Sequence, residues 1–135
     1  MRASVLLLAV LAFPAVAQPA VRPGLWEYTM KMDMGGGMAP MQMQHKACMT
    51  PEQIARNEHV APRQDNQKND CKVSSQKIDA SSVSFVMICT KPEAMRAEGR
   101  SVFRGDSFES DTKFTSDGQT FRQQTQARRV GDCAK

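Results

Sequence analysis

The segment from Phe103 to Val130, FRGDSFESDTKFTSDGQTFRQQTQARRV, decides the fold of this chain. It contains two turn signals, Gly105-Asp106 and Asp117-Gly118, and each lies between segments that can form β-strands. An Asp-Gly pair in this setting is the strongest short-range signal for a β-hairpin. The segment therefore predicts three consecutive antiparallel strands joined by two-residue loops.

The two loops fix strand registers that can be checked against each other. The first loop sets Phe103 opposite Phe108, and the second sets Phe114 opposite Phe121. Directly opposed residues share a face of a sheet, so both aromatic pairs lie on the face that carries Phe108 and Phe114. Between them the same face is small: Ser101 lies opposite Ser110, Gly99 opposite Thr112, and Ala97 opposite Phe114. Tight curvature of the sheet explains this pattern, and room for the helix or for a ligand is the alternative.

Period-2 alternation of apolar and polar residues continues through the rest of the chain, which is the pattern of β-strands. From Leu25 to Met34 it is nearly perfect, and it resumes at Met41 after a glycine-rich loop. The predicted strands are Leu25 to Met34, Met41 to Met49, Cys71 to Ile78, Val83 to Thr90, Met95 to Arg104, Ser107 to Thr115 and Gln119 to Val130.

One short helix is predicted after the second strand. Thr50 can cap it, Pro51 suits its first position, and Gln53 completes a capping box. The helix ends near Arg56 or His59, and residues 57–70 form a polar surface loop. The fold class is therefore all-β: an antiparallel meander of about seven strands, curved into a barrel or half-barrel, with one short helix.

The amino terminus has the layout of a secretory signal peptide. Arg2 precedes an apolar run from Ala3 to Phe13, and Ala15-Val16-Ala17 forms an A-x-A cleavage site. The run has about half of the roughly 20 apolar residues that a membrane span needs. We predict cleavage after Ala17, which leaves residues 18–135 as a single domain in the periplasm or outside the cell, with no transmembrane anchor.

Four cysteines in an exported domain indicate two disulfides. A three-residue loop in the hairpin before Thr90 sets Cys71 opposite Cys89 and leaves Cys48 to pair with Cys133. A two-residue loop puts Cys71 and Cys89 on opposite faces and favours another pairing. We favour Cys71–Cys89 with Cys48–Cys133, and the alternative stays open.

The first hairpin is rich in methionine, with seven of the ten methionines between Met30 and Met49. A loop centred on Gly37-Met38 sets Met34 opposite Met41, Met32 opposite Met43, and Met30 opposite His45. Soft thioether ligands select Cu(I), and Ag(I) by the same logic, so these six residues form a candidate metal site. The simpler interpretation is apolar packing, and a flexible apolar surface for a ligand or partner is a third.

Enzymatic chemistry and nucleic-acid binding have little support. The chain lacks H-E-x-x-H, G-x-S-x-G and C-x-x-C motifs, and of its two histidines we interpret His59 as a solvated loop residue. A net charge of +4 with one Trp and one Tyr gives no basic stripe with stacking aromatics. Arg122, Arg128 and Arg129 in the last strand are interpreted as edge protection, and contact with an anionic envelope polymer or lipid is the alternative.

Several short segments, in this order, resemble the bacterial family of secreted proteins called domain of unknown function 3617. They are Arg22-Pro23-Gly24-Leu25-Trp26-Glu27, the Met-rich stretch to Met43, Cys48-Met49-Thr50-Pro51-Glu52, Cys71-Lys72-Val73, Cys89, Gly105-Asp106-Ser107-Phe108 and Gly131-Asp132-Cys133. The resemblance implies an exported envelope protein, and it carries over no catalytic or binding residues. The turn from Asp79 to Ser82 departs from it by lacking a glycine.

We therefore expect a non-enzymatic binding or structural module without a cofactor. Its curved sheet would present an apolar concave face to a hydrophobic ligand or an envelope protein. The alternative is Cu(I) or Ag(I) binding by the Met-rich hairpin.

Overall fold

Tight turns direct the path of the chain in the computed structural model, which describes residues 19–56, 59 and 70–134. Asp117 and Gly118 both have positive φ, 49° and 74°, as the hairpin turn of type I′ requires. Across Gly105-Asp106, the amide of Arg104 donates to the carbonyl of Ser107 at 2.8 Å. Both predicted loops therefore form. The predicted signal peptide, residues 1–17, lies outside the described residues.

Seven strands and one helix make up the described chain, which confirms the predicted fold class. The bounds are β1 Gly24–Asp33, β2 Met41–Met49, α1 Pro51–Ala55, β3 Asp70–Ile78, β4 Ser82–Lys91, β5 Met95–Phe103, β6 Ser107–Ser116 and β7 Gln119–Gly131. The capping box is present, because Gln53 N donates to Thr50 Oγ1 at 3.3 Å and Thr50 N donates to Gln53 Oε1 at 2.8 Å.

The strands form one antiparallel sheet in the order β2-β1-β7-β6-β5-β4-β3. The predicted registers are confirmed, with Phe103 opposite Phe108 and Phe114 opposite Phe121. The sheet curves but does not close, since β2 and β3 pair with one neighbour each. The fold is thus an open half-barrel rather than a barrel.

The arginines of β7 do not protect an edge, which corrects the interpretation from the sequence. β7 lies between β1 and β6, because the last strand returns to pair with the first over a distance that no local pattern encodes. Arg122 donates to both carboxylate oxygens of Asp111, and Arg128 pairs with Glu27 at 2.7 Å. These side chains join neighbouring strands on the convex face.

The β3–β4 hairpin has the register that aligns its two cysteines, but its loop differs from the expected one. Its loop has two residues, Ala80 and Ser81, because Asp79 N donates to Ser82 O. A β-bulge then shifts the register at Ser74, so that Cys71 lies opposite Cys89. The expected three-residue loop is wrong, since the extra residue lies in the strand instead. The disulfides are Cys71–Cys89 and Cys48–Cys133, the pairing that the sequence favoured.

Candidate functional site

The two faces of the sheet differ in charge. Given the registers, the charged strand side chains on the concave face lie at its ends. Arg129 donates to the carbonyl of Pro23 and pairs with Asp132, and Lys91 lines a pocket with Cys89 and Phe121. The convex face instead carries cross-strand ion pairs. Glu27 lies between Lys46 and Arg128, and hydrogen bonding from Arg128 lowers the pKa of its carboxyl. The concave face is therefore the apolar face of the molecule.

One end of the concave face is closed by the segment before β1, named here the strap (residues 19–23), together with α1. Trp26 is fully buried there with Met49 and Ala127. Val21 of the strap contacts this cluster and also packs with Val83 and Phe103.

Polar contacts fasten the strap at the β5–β6 turn. Arg22 Nε donates to Asp106 Oδ1 at 2.6 Å, and the Arg22 amide donates to Gly105 O at 3.4 Å. The carbonyl of Arg22 accepts from Trp26 Nε1 at 3.1 Å. The sequence does not predict the strap, because a short segment without alternation gives no local signal for where it packs.

The rest of the concave face forms an open cleft of about 320 Å³. This volume lies at the lower end of the range for small-molecule sites. The residues that line the cleft are His59, Phe85, Met87, Ala97, Ser101, Phe108, Ser110, Thr112, Phe114, Gln123 and Thr125. None carries a fixed charge, and the larger apolar side chains are only half-buried. The cleft is thus suited to an apolar ligand.

The floor of the cleft is shaped by small residues at the strand centres. Thr112 and Thr125 are buried, and Ser101 Oγ donates to Ser110 Oγ at 3.0 Å. The two serine hydroxyls thus form a hydrogen bond with each other, and these small side chains leave space above them. The small residues at these positions therefore leave open space on the concave face of the curved sheet.

His59 is placed differently from the sequence interpretation. Its ring meets Phe103 edge-on at 5.9 Å, and it lines the cleft instead of standing in solvent. Burial lowers the pKa of its imidazole, and the Pro19 carbonyl acts in the opposite direction. No signal in the sequence could have found this contact, because Phe103 is distant in the chain and belongs to another element.

The Met-rich hairpin pairs with a register two residues from the predicted one. Met30 lies opposite Met43, and Met32 opposite Met41, while His45 lies opposite Tyr28. The predicted pairs are wrong because the chain turns back earlier, within Gly35 to Gly37, where all three φ values are positive. A shift of two preserves the face, so the side chains still share the concave side.

Four of the six candidate metal ligands are thereby brought together as two cross-strand pairs, Met30 with Met43 and Met32 with Met41. Met34 lies beyond the end of β1 and is 41% exposed. The ring of His45 stacks on Tyr28 with centroids 4.8 Å apart.

The sulfur of Met30 accepts a weak hydrogen bond from Gln123 Nε2 at 3.8 Å. Among the described residues no group of three or more His, Cys, Asp or Glu side chains could hold a metal ion. Methionine thioethers are a different kind of ligand, so the methionine hypothesis stays a prediction.

All four cysteines are in disulfides, which indicates a protein that folds in an oxidising extracytoplasmic compartment. In the described part of the chain, no helix has the length and apolar character needed to cross a membrane.

Comparison with known proteins identifies a family. No curated protein and no solved structure is significantly similar to the chain. Residues 21–133 match the family described as "Protein of unknown function (DUF3617)". This region runs from the strap to the second cysteine of the Cys48–Cys133 disulfide, and it includes all seven described strands, which form the concave face. The chain therefore belongs to the DUF3617 family.

Proposed function

We propose that the protein is a non-enzymatic module of the cell envelope that binds a small hydrophobic ligand on its concave face. The observation that carries this proposal is the cleft of about 320 Å³, whose described lining residues carry no fixed charge. Half-buried Phe114 and Met87 would lose further contact with water on binding, which is favourable by about 25 cal/mol per Å² of apolar surface. Folding in an oxidising compartment and the predicted signal peptide support the location.

A fluorescent apolar probe tests this proposal. N-phenyl-1-naphthylamine is neutral and becomes fluorescent in apolar surroundings, so the wild-type protein should enhance its emission to saturation. Ser110→Phe fills the centre of the cleft and should abolish most of this binding. Ser75→Phe makes the same change on the convex side, where Ser75 pairs with Val86, and should leave binding intact.

Thermal unfolding of both variants shows that they are folded. Equal binding by the two variants would contradict the cleft as the binding site. No saturable enhancement with any of the three proteins would contradict a small-molecule role and leave a protein partner as the occupant to be tested.

A second candidate function is binding of Cu(I) or Ag(I) by the thioether pairs. The observation that favours it is the direct opposition of Met30 to Met43 and of Met32 to Met41. Met41 and Met43 are each 55% exposed, so an ion could reach them. His45 would have to leave the ring of Tyr28 to join them.

Conservative substitution separates the two candidates. Replacing Met30, Met32, Met41 and Met43 by Leu roughly conserves volume and removes the soft sulfur ligands. Native mass spectrometry with Ag(I) should show a stoichiometric adduct on the wild type that is lost in this variant. The double variant Met87→Leu, Met95→Leu is the control and should retain the adduct. If the wild type and both variants show the same amount of Ag(I) adduct, or none, the hypothesis of a thioether site is wrong.

A further inference from the structure

His59 is the single titratable side chain among the described residues that line the cleft. Both of its ring nitrogens are shielded from water, and neither makes a hydrogen bond of normal geometry with a described residue. The Pro19 carbonyl is near enough to favour a protonated ring, but one carbonyl can serve at most one nitrogen. A shielded polar group without a partner is uncommon in proteins and calls for an explanation.

The surroundings of His59 define what could satisfy it. The ring packs edge-on against Phe103, and burial lowers its pKa. Burial therefore favours the neutral imidazole, which offers one N–H donor and one acceptor. The cleft also holds the hydroxyls of Ser101, Ser110, Thr112 and Thr125.

We propose that the cleft binds a fatty acid, whose carboxyl group forms a hydrogen bond with the imidazole of His59 when the ring turns a nitrogen towards the cleft, and whose aliphatic chain lies along Phe114 and Met87. This inference rests on the proposed function, because it names the ligand class of the same cleft. The head group and the imidazole complement each other, since both can donate and accept and each favours the charged form of the other.

Other head groups fit less well. A phosphate carries up to two charges and needs several donors, whereas the described lining has one imidazole and no Lys or Arg. A quaternary ammonium group could contact the Phe rings, but no carboxylate is among the described lining residues. The group also has no hydrogen-bond donor or acceptor, so it would leave the imidazole of His59 without a partner. An alcohol can form one hydrogen bond to His59, but it has no charge and is therefore not attracted to a charged imidazolium as a carboxylate is.

Calorimetric titration with head-group probes of equal chain length tests the inference. Decanoic acid, decanol and decyltrimethylammonium would be titrated below their critical micelle concentrations into the disulfide-bonded protein. Hydrogen bonds to charged groups are stronger than neutral ones, so decanoic acid should bind at least about tenfold more tightly than decanol. The ammonium probe should bind no better than decanol.

Two substitutions identify the residue responsible. In His59→Leu the preference for the acid over the alcohol should fall to about one, while decanol binding changes little. His45→Leu removes the other histidine of the chain, which lies outside the cleft lining, and should keep the preference. His59→Gln provides a second variant if the leucine variant does not fold, and it should also lose most of the preference because the amide cannot become charged.

A direct readout comes from NMR titration of the His59 ring, whose pKa should rise when decanoic acid is bound and stay unchanged with decanol. Equal affinity of the wild type for acid and alcohol would overturn the fatty-acid inference and leave the apolar cleft standing. An acid preference that survives in His59→Leu and His59→Gln would overturn the role of His59. Failure of all three probes to bind would overturn the proposed function itself.

Discussion

At Gly99 the sheet lacks a side chain, and the ring of Phe85 from the neighbouring strand occupies the space. A Cβ atom at this position would overlap Phe85 Cε1 and lie 3.0 Å from Thr112 Oγ1. The ring can therefore lie flat across the floor of the cleft only because residue 99 is glycine. The sequence predicted that Gly99 lies opposite Thr112, but only the structure shows which ring uses the gap.

Gly99→Ala should destabilise the protein by about 1–3 kcal/mol, because the Phe85 ring must leave its position. Urea unfolding of the purified protein measures the loss. Gly131→Ala is the matched control, since a Cβ atom there meets nothing within 4 Å. This variant should leave the free energy of unfolding unchanged. Equal stability changes in the two variants would show that Phe85 does not depend on Gly99.

Glu27 should contribute to stability in a pH-dependent way. Its pKa in the folded protein lies below the usual 4.5, chiefly because Arg128 donates a hydrogen bond to it. A carboxyl with a lowered folded pKa stabilises the fold above the unfolded pKa, and this stabilisation is lost as the pH falls through the folded value.

The stability difference between wild type and Glu27→Gln should therefore be present at pH 7 and disappear as the pH is lowered below about 4.5. Urea unfolding at a series of pH values measures it. The exposed Glu93 provides the comparison, and Glu93→Gln should show a smaller difference. A gap between wild type and Glu27→Gln that is independent of pH would contradict the ion pair.

At the scale of the elements, one extra residue in β3 determines whether the Cys71–Cys89 disulfide can form. Without the bulge at Ser74, the two-residue loop would set Cys71 opposite Thr90, on the wrong face. The bulge moves the pairing by one residue and brings Cys71 opposite Cys89. It also makes the outer edge of the sheet irregular, which discourages pairing with another strand.

Deletion of Ser74 should preserve the Cys71–Cys89 disulfide, because the residue is surplus to pairing and its neighbours keep their partners. Deletion of both Ser74 and Ser75 removes one paired residue as well and moves Cys71 opposite Ile88. Peptide mapping without reduction should find two disulfides in the first variant and free thiols at Cys71 and Cys89 in the second. Free thiols in the single deletion would contradict the assigned bulge.

The helix α1 depends on its amino-terminal cap, since it has only five residues. Thr50→Ala removes the side-chain acceptor for the Gln53 amide and should lower the free energy of unfolding by about 1 kcal/mol. Thr50→Ser keeps the acceptor and should cost less. Because Ile54 packs against the Trp26 cluster, the tryptophan fluorescence of the folded alanine variant should also change. Equal stability of the two variants in urea would contradict a stabilising cap.

On the scale of the whole molecule, the disulfides act over different lengths of chain. Cys48–Cys133 links residues separated by 85 positions, and Cys71–Cys89 links residues separated by 18. The first joins the end of the edge strand β2 to the chain beyond β7, and the second joins β3 to β4. The long loop restricts the unfolded chain more than the short one.

Replacing Cys48 and Cys133 by Ala should therefore lower the free energy of unfolding by about 4–5 kcal/mol. Replacing Cys71 and Cys89 by Ala should lower it by about 3 kcal/mol. Chemical unfolding of both double variants under non-reducing conditions measures the order. A larger loss from the short loop would show that local packing at β3 and β4 outweighs chain entropy.

Local features of the sequence determined the strands, the hairpin registers around Phe108 and Phe114, and the capped helix. These depend on neighbours in the chain: alternation fixes which residues share a face, an Asp-Gly pair fixes a turn, and a Thr-x-x-Gln segment fixes a cap. The family resemblance also came from short ordered segments, and the match over residues 21–133 confirms it.

Only the tertiary structure decided what depends on distant or compensating contacts. The pairing of β7 with β1, the strap against Phe103 and the place of His59 join residues far apart in the chain, so no periodic pattern encodes them. The Met register and the bulge at Ser74 are choices between turns of similar local cost, which packing and disulfide pairing settle. The candidate cleft arises from these distant contacts, although most of the side chains on its floor already shared a face in the sequence.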